Sequence, residues 1–193
     1  IGAGSEPLWT SSEEGGIIVC DAPDDQSKIK VTTMSVYSET QPDGECELGS
    51  IVTWRDNRVD DNGDIYMQII DQSGDFLLED NGRVVCDDPG QQTAPRVKSK
   101  SEFAYLVWED KRNDSGNENV DIYGQKLHMS EESQWDESEY GDYLWEDNGR
   151  LISDASGSQD QVRLMADDLG VYFVWEDGRD NGDYVWNDIY LQH

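Results

Sequence analysis

One pattern recurs three times along this chain, and the repetition restricts the possible folds more than any other feature of the sequence. Glycines at positions 16, 82 and 149 each stand in a similar run, so successive copies are 66 and 67 residues apart. In a tandem repeat each copy is one supersecondary unit, and neighbouring copies bury a shared core. We therefore predict one domain over residues 1–193, divided into repeats 8–76, 77–142 and 143–193.

Each copy contains the motif Trp-x-Asp-x-Arg, then a polar loop, then Asp-Ile-Tyr-x-Gln. The residues of the first motif are Trp54, Asp56 and Arg58, then Trp108, Asp110 and Arg112, then Trp175, Asp177 and Arg179. Asp and Arg are two residues apart, on one side of an extended strand, where a guanidinium group can bind a carboxylate. We interpret the motif as structural, because a residue present in every repeat serves a need that every repeat has.

Short apolar runs separated by Gly, Asn, Asp and Pro predict β-strands, and none of the runs has a helical period. Residues 105–110 and 121–127 show the clearest alternation of apolar and polar side chains. We place the run that contains the glycine first in its copy, which gives four strands per copy, the anatomy of a propeller blade. The predicted fold is all-β, with three four-stranded antiparallel propeller-like blades near residues 8–71, 77–127 and 143–193 and twelve strands in all.

These motifs resemble the tandem repeats of secreted and cell-surface bacterial and archaeal proteins that look like β-propeller blades. The resemblance rests on Trp-x-Asp-x-Arg and Asp-Ile-Tyr-x-Gln and covers nearly the whole chain. It implies a propeller-like fold and an extracellular or cell-surface location. It implies no particular activity, since propellers host many functions. Insertions at residues 35–50 and 128–143 depart from the family pattern.

The charge of the chain restricts its partners. Lys and Arg number 14 against 43 Asp and Glu, for a formal net charge of -29. Phosphate groups would be repelled, so we expect no nucleic acid partner and regard cations as the natural counterpart. We also expect no membrane insertion, because no run approaches the roughly 18 to 20 apolar residues of a membrane span.

Carboxylates around Asn-Gly turns suggest Ca²⁺, which takes oxygen ligands. The candidate ligands are Asp60, Asp61, Asp64, Asp114, Asp180, Asp183 and Asp188. None of these loops has the helix-flanked calcium motif with its distal Glu, and an ordinary acidic turn is the alternative interpretation. Both interpretations stay open at this point, with Ca²⁺ as the candidate cofactor.

The chain has three cysteines, Cys20, Cys46 and Cys86, which permit one internal disulfide. Cys20 and Cys86 occupy equivalent positions in neighbouring copies, which should lie beyond the ~7 Å Cα separation that a disulfide allows. Cys46 lies on the inserted loop of the first copy. We therefore predict a disulfide between Cys20 and Cys46.

No catalytic residues are predicted, and we expect a protein that is not an enzyme. Acidic side chains are so abundant that a glycosidase-like pair would arise by accident. A sialidase-like site would need a cluster of arginines, and the repeat motif uses most of them. The only two histidines, His128 and His193, lie in unrelated parts of the chain.

Two classes of function fit these features. The first is a structural or adhesive protein that self-assembles head to tail into a filament or a closed oligomer, because three blades are too few for a ring of about four to eight. The residues predicted to join two copies are Leu8, Trp9, Ile17, Ile189 and Tyr190. The alternative is a Ca²⁺-dependent lectin that binds surface glycans through Trp135 and Trp186.

Overall fold

The computed structural model describes residues 16–37, 45–113, 119–129, 141–179 and 186–193. These residues form eleven β-strands and no helix, so they contain no helix that could cross a membrane. The strands make three antiparallel sheets, and the prediction of an all-β fold is confirmed.

Each sheet is a simple meander in which strands adjacent in sequence are paired. Sheet 1 contains β1 (Gln26–Tyr37), β2 (Glu45–Asp56), β3 (Asp64–Asp71) and β4 (Arg83–Cys86). Sheet 2 contains β5 (Gln92–Lys100), β6 (Phe103–Asp110), β7 (Asp121–His128) and β8 (Arg150–Ser153). Sheet 3 contains β9 (Gln159–Asp167), β10 (Gly170–Asp177) and β11 (Asp188–Gln192).

Two details of the predicted fold were wrong. Sheet 3 has three strands among the described residues, so the count is eleven and not twelve. The strand after Gly82 and the strand after Gly149 are the last strands of their sheets and not the first: β4 ends sheet 1 and β8 ends sheet 2. The sheets therefore lie later in the chain than the repeats 8–76, 77–142 and 143–193. The reason is that a repeat period does not determine with which neighbour a strand pairs.

The three sheets pack face to face in chain order. Ile65 and Met67 of sheet 1 share a buried cluster with Val97 of sheet 2. Ile122 of sheet 2 shares a second cluster with Val162 of sheet 3. The first strands of the sheets also lie side by side, because β1 contacts β5 and β5 contacts β9. The result is a stack with two inner interfaces and two outer faces.

The repeat motif forms the same buried contact in all three sheets. In sheet 1, Nε1 of Trp54 donates to Oδ2 of Asp56 at 2.7 Å, and Nη2 of Arg58 reaches the same oxygen at 2.6 Å. Burial acts to raise the pKa of Asp56, but the hydrogen bonds from Arg58 and Trp54 outweigh it and hold that pKa low. The equivalent Trp–Asp and Arg–Asp distances are 2.8 and 2.7 Å in sheet 2 and 2.8 and 2.6 Å in sheet 3. The motif therefore fixes the end of each sheet's second strand.

Candidate functional site

The fourth strands of sheets 1 and 2 lie over the motif tryptophan, and this close approach requires glycine. A Cβ on Gly82 would lie 2.5 Å from Cη2 of Trp54, and a Cβ on Gly149 would lie 2.4 Å from Cη2 of Trp108. Both glycines have positive φ angles, +86° and +88°, which L side chains rarely adopt. The glycine of the repeat thus seats the fourth strand of the preceding sheet.

Residues 16–20, which we call the donor segment, carry the same Gly-x-x-x-Cys pattern but form no strand in the structure. Their contacts nevertheless repeat those of β4. Nη2 of Arg58 donates to Sγ of Cys20 at 3.2 Å, as Nη2 of Arg112 donates to Sγ of Cys86 at 3.0 Å. The Cys20 end of the donor segment therefore lies against sheet 1 as the Cys86 end of β4 lies against sheet 2.

The backbone that follows each cysteine is held in the same way. An asparagine side chain accepts the N–H of the next residue: Oδ1 of Asn81 binds Asp21 at 2.7 Å, and Oδ1 of Asn148 binds Asp87 at 3.1 Å. Around Gly16, in contrast, no described atom lies within 4 Å of the Cβ position. The donor segment has the contacts of a fourth strand to the following sheet, without a tryptophan beneath its glycine.

β11 shows the complementary feature. β3 pairs with strands on both sides, and so does β7, whereas β11 pairs only with β10 among the described residues. Beside it lies a groove of about 350 Å³, lined in part by Ile152, Trp175, Tyr190 and Leu191. In sheets 1 and 2 the fourth strand covers the equivalent tryptophan. We call the edge of β11 that faces away from β10, together with this groove, the acceptor edge.

Equivalent apolar residues are buried inside the stack and exposed at its ends. Ile65 and Ile122 are fully buried, whereas the equivalent Ile189 is 69% exposed. At the other end, Val97 is 4% exposed and the equivalent Val31 is 64% exposed. We call Ile29 and Val31 of β1 the leading face, and Ile189 and Leu191 of β11 the trailing face. Inside the stack, Ile65 and Met67 share a cluster with Val97, and Ile122 shares one with Val162 and Leu164.

The predicted assembly residues are distributed over these features. Ile189 lies on the trailing face, and Ile17 lies in the donor segment. Tyr190 is half-buried between the ring of Trp175 and the guanidinium group of Arg179. Leu8 and Trp9 fall outside the described residues. Sequence reasoning missed the leading face, although aligning β1 with β5 and β9 would have placed Ile29 and Val31 at positions that are apolar in every copy.

Four of the seven predicted calcium ligands, Asp60, Asp61, Asp64 and Asp188, lie within the described residues. Asp114, Asp180 and Asp183 lie outside the described residues, and Asp61 and Asp188 are exposed. Oδ1 of Asp60 accepts the N–H groups of Asn62 at 2.7 Å and Gly63 at 3.3 Å, as in an ordinary acidic turn. In the part of the chain that the structure describes, no group of three or more His, Cys, Asp or Glu side chains is placed to hold a metal ion.

Asp64 is the one member of this set with an unusual environment among the described residues. It is 5% exposed, and its Oδ2 is buried without a hydrogen-bond partner. Burial, followed by the negative charges of Asp60 and Asp87, raises its pKa to about 6. A carboxylate in this position is stabilised by any proton or cation that neutralises it.

The cysteines differ from the prediction. Cys20 and Cys86 are free thiols, so the predicted disulfide from Cys20 to Cys46 is not found. The reason is local, because each sulfur accepts a hydrogen bond from the motif arginine beside it. Burial raises the pKa of the Cys86 thiol to about 12, so this sulfur stays protonated and unreactive. The side chain of Cys46 lies outside the described residues.

No family model matches the chain, and comparisons with curated proteins and with solved structures found no match either. The resemblance to propeller repeats therefore rests on the repeated residues alone. The structural features that bear on function are the donor segment, the acceptor edge, the leading face and the trailing face.

Proposed function

We propose that this protein is a non-enzymatic extracellular or cell-surface building block whose three sheets are propeller blades, and that copies of it associate head to tail. The observation that carries the proposal is the 69% exposure of Ile189, at a position where Ile65 and Ile122 are fully buried. The trailing face of one copy packs on the leading face of the next, as sheet 1 packs on sheet 2. Association removes both exposed faces from water.

In this interface the donor segment takes the position beside β11 that β4 has beside β3. In sheet 1, Ile65, Tyr66 and Met67 of β3 pair with Cys86, Val84 and Arg83 of β4. The equivalent register between two copies pairs Ile189 with Cys20, Tyr190 with Ile18 and Leu191 with Ile17. Gly16 then covers Trp175, as Gly149 covers Trp108. A strand added at this edge pairs with the backbone of β11 as β4 pairs with β3.

A second copy is the occupant that fits both ends. The donor segment and the acceptor edge belong to one chain, and their contacts are already used inside it between sheets 1 and 2. Because the two surfaces are different, the contact is heterologous, and it either closes after two copies as a six-bladed ring or continues as a filament. The rotation between copies decides between these forms, and we favour the filament.

Ca²⁺ enters the proposal as a stabilising counter-ion for a chain of net charge -29. The buried, unpaired oxygen of Asp64 supports it. A cation that binds the folded state raises the melting temperature by mass action. We expect millimolar CaCl₂ to stabilise the protein more than NaCl at equal ionic strength, and equal stabilisation by both salts would show that only screening acts.

Blocking each end separately tests the proposal. Val31→Asp places a charge on the leading face, and Ile189→Asp places one on the trailing face. Val59→Asp is the matched control, because Val59 is 69% exposed in the loop between β2 and β3 and belongs to neither face. Sedimentation velocity measures the species formed by each protein and by mixtures.

Each end variant alone should sediment as a monomer, and the Val59→Asp protein should associate as the unmodified protein does. Mixing the Val31→Asp and Ile189→Asp proteins should give a 1:1 dimer, because each supplies the face that the other lacks. A mixture that stays monomeric while the unmodified protein associates would contradict the head-to-tail arrangement. A monomeric unmodified protein would contradict association itself.

The lectin alternative has one observation in its favour, the 77% exposure of Trp186. Exposed aromatic rings stack on sugars, but the second predicted contact, Trp135, lies outside the described residues. A glycan that quenches tryptophan fluorescence in the unmodified protein but not in Trp186→Ala would support this alternative.

A further inference from the structure

The first strand of every sheet contains a bulge at the same place. Pairing shifts register between Ser27 and Lys30 in sheet 1 and between Thr93 and Arg96 in sheet 2, and β9 is interrupted at the same point opposite β10. The residues inside the bulges have left-handed backbone angles, with φ of 57° at Lys28, 51° at Ala94 and 55° at Gln161. Such angles are uncommon for residues other than glycine, and their recurrence in all three first strands makes the bulge a regular feature of the repeat.

A basic residue stands two positions after the left-handed residue of each bulge. These basic residues are Lys30, Arg96 and Arg163. Nη1 of Arg96 donates to the carbonyls of Ala94 and Pro95, at 3.1 and 2.9 Å. Nη1 of Arg163 donates to the carbonyls of Gln161 and Val162, at 2.9 Å each. The guanidinium groups are therefore held in place, while their Nε and Nη2 donors make no hydrogen bond to the described residues.

The three basic residues stand at the same position of neighbouring first strands, because β1 is beside β5 and β5 is beside β9. Burial first, and then the charges of Arg96, Arg163 and Lys28, lower the pKa of Lys30. Burial and Arg163 lower the pKa of Arg96, although Glu109 opposes them. No carboxylate of the described residues forms an ion pair with any of the three head groups. This is a local excess of positive charge in a chain with 43 acidic residues and 14 basic ones.

Stabilisation of the bulge explains one donor per strand but not the repeated positive charge. A neutral amide would also satisfy the bulge carbonyls, and it would avoid the repulsion between neighbouring strands. The Nε and Nη2 donors are not used by the strand's own carbonyls, and the Arg96 side chain is half-buried whereas that of Arg163 is exposed. Because these Nε and Nη2 donors are preorganised and bind no acceptor among the described residues, they are suited to binding an anion.

We propose that Lys30, Arg96 and Arg163 form a binding site for a small tetrahedral oxyanion, phosphate or sulfate, either free or as an ester on a small molecule. Cations contributed by three strands suit an anion with several oxygens and more than one charge, whereas a carboxylate is satisfied by a single guanidinium fork. Large polyanions are disfavoured, because the rest of the protein repels them. The site lies within one copy and does not depend on assembly.

Equilibrium dialysis with labelled inorganic phosphate in 0.15 M NaCl tests the site. The unmodified protein should bind phosphate saturably, with a dissociation constant on the order of 1 mM. The double variant Arg96→Gln with Arg163→Gln should bind at least about tenfold more weakly, because glutamine keeps a donor for the bulge but loses the charge. The control is Arg83→Gln with Arg150→Gln, which changes net charge equally on the outer strands and should bind phosphate as the unmodified protein does.

The proposal would be overturned if the unmodified protein retains phosphate without saturation, or if both double variants lose phosphate binding equally. If the test variant does not fold, as judged by circular dichroism, Arg163→Gln alone replaces it, since that side chain is exposed. Inorganic sulfate and glucose 6-phosphate serve as competitors. Displacement by both supports a site that accepts free and esterified ions, and displacement by sulfate alone supports a site for the free ion.

Discussion

Replacing Ile189 with alanine should weaken association without changing the stability of a single copy. The substitution removes three carbon atoms at about 0.8 kcal/mol each, and scaling by the 69% exposure that assembly would bury gives about 1.6 kcal/mol. A loss of binding free energy of that size raises the dissociation constant about 15-fold. The melting temperature of the dilute protein should stay the same, because Ile189 makes few contacts within its own copy.

Ile122→Ala is the matched control, because it removes the same atoms at the same position of the repeat. Ile122 is fully buried between sheets 2 and 3, so its truncation should cost about 2 to 5 kcal/mol of folding stability. Sedimentation equilibrium over a dilution series gives the dissociation constants, and urea unfolding gives the stabilities. The reasoning is refuted if Ile189→Ala associates as tightly as the unmodified protein, or if it loses as much folding stability as Ile122→Ala.

Three further predictions follow from the same contacts. Arg112→Met should lower the free energy of unfolding in urea by about 3 kcal/mol, because it leaves the buried Asp110 without its cation. Arg150→Met breaks an exposed pair with Glu146 and should lower it by less than about 1 kcal/mol. Equal losses of stability in the two variants would contradict the assigned role of the motif. Gly149→Ala should destabilise folding by more than about 1 kcal/mol, while Gly16→Ala should leave the melting temperature unchanged and weaken only association. A fall in melting temperature for Gly16→Ala would show that Gly16 already packs closely within its own copy. Since the pKa of Asp64 is raised to about 6, its contribution to stability is present below pH 3.8 and is lost as the pH rises through 6. The Asp64→Asn protein should therefore have a higher melting temperature than the unmodified protein at pH 7 but not at pH 4. Identical dependence of the two melting temperatures on pH would count against this prediction.

The regular features of the fold were accessible from the sequence. Alternation in β6 and β7, with turn residues on both sides, identified strands, and the motif Trp-x-Asp-x-Arg gave their spacing. The place of β4 was not accessible, because a four-residue strand with the sequence Arg-Val-Val-Cys pairs as well before a sheet as after one. Its position is decided by Gly82, which must lie over Trp54, and that contact joins residues 28 positions apart.

The candidate site was partly predictable. Ile189 was named as an assembly residue, but its 69% exposure depends on the strand and sheet that cover Ile65 and Ile122, which no local pattern reveals. The basic residues Lys30, Arg96 and Arg163 were visible at one position of the aligned repeats. Their convergence was not, because it requires β1, β5 and β9 to lie side by side.

A disulfide trap in the proposed register tests the central claim most directly. Ile189→Cys faces Cys20 of the next copy if the donor segment pairs with β11 as β4 pairs with β3, and directly paired residues of neighbouring strands lie within the ~7 Å Cα limit for a disulfide. Cys46 and Cys86 are replaced by serine, the residue that the third repeat carries as Ser153 at the Cys86 position. Mild oxidation should then give covalent oligomers on non-reducing gels, and adding Cys20→Ser should abolish them. Covalent monomers alone, or oligomers that persist without Cys20, would contradict head-to-tail strand donation.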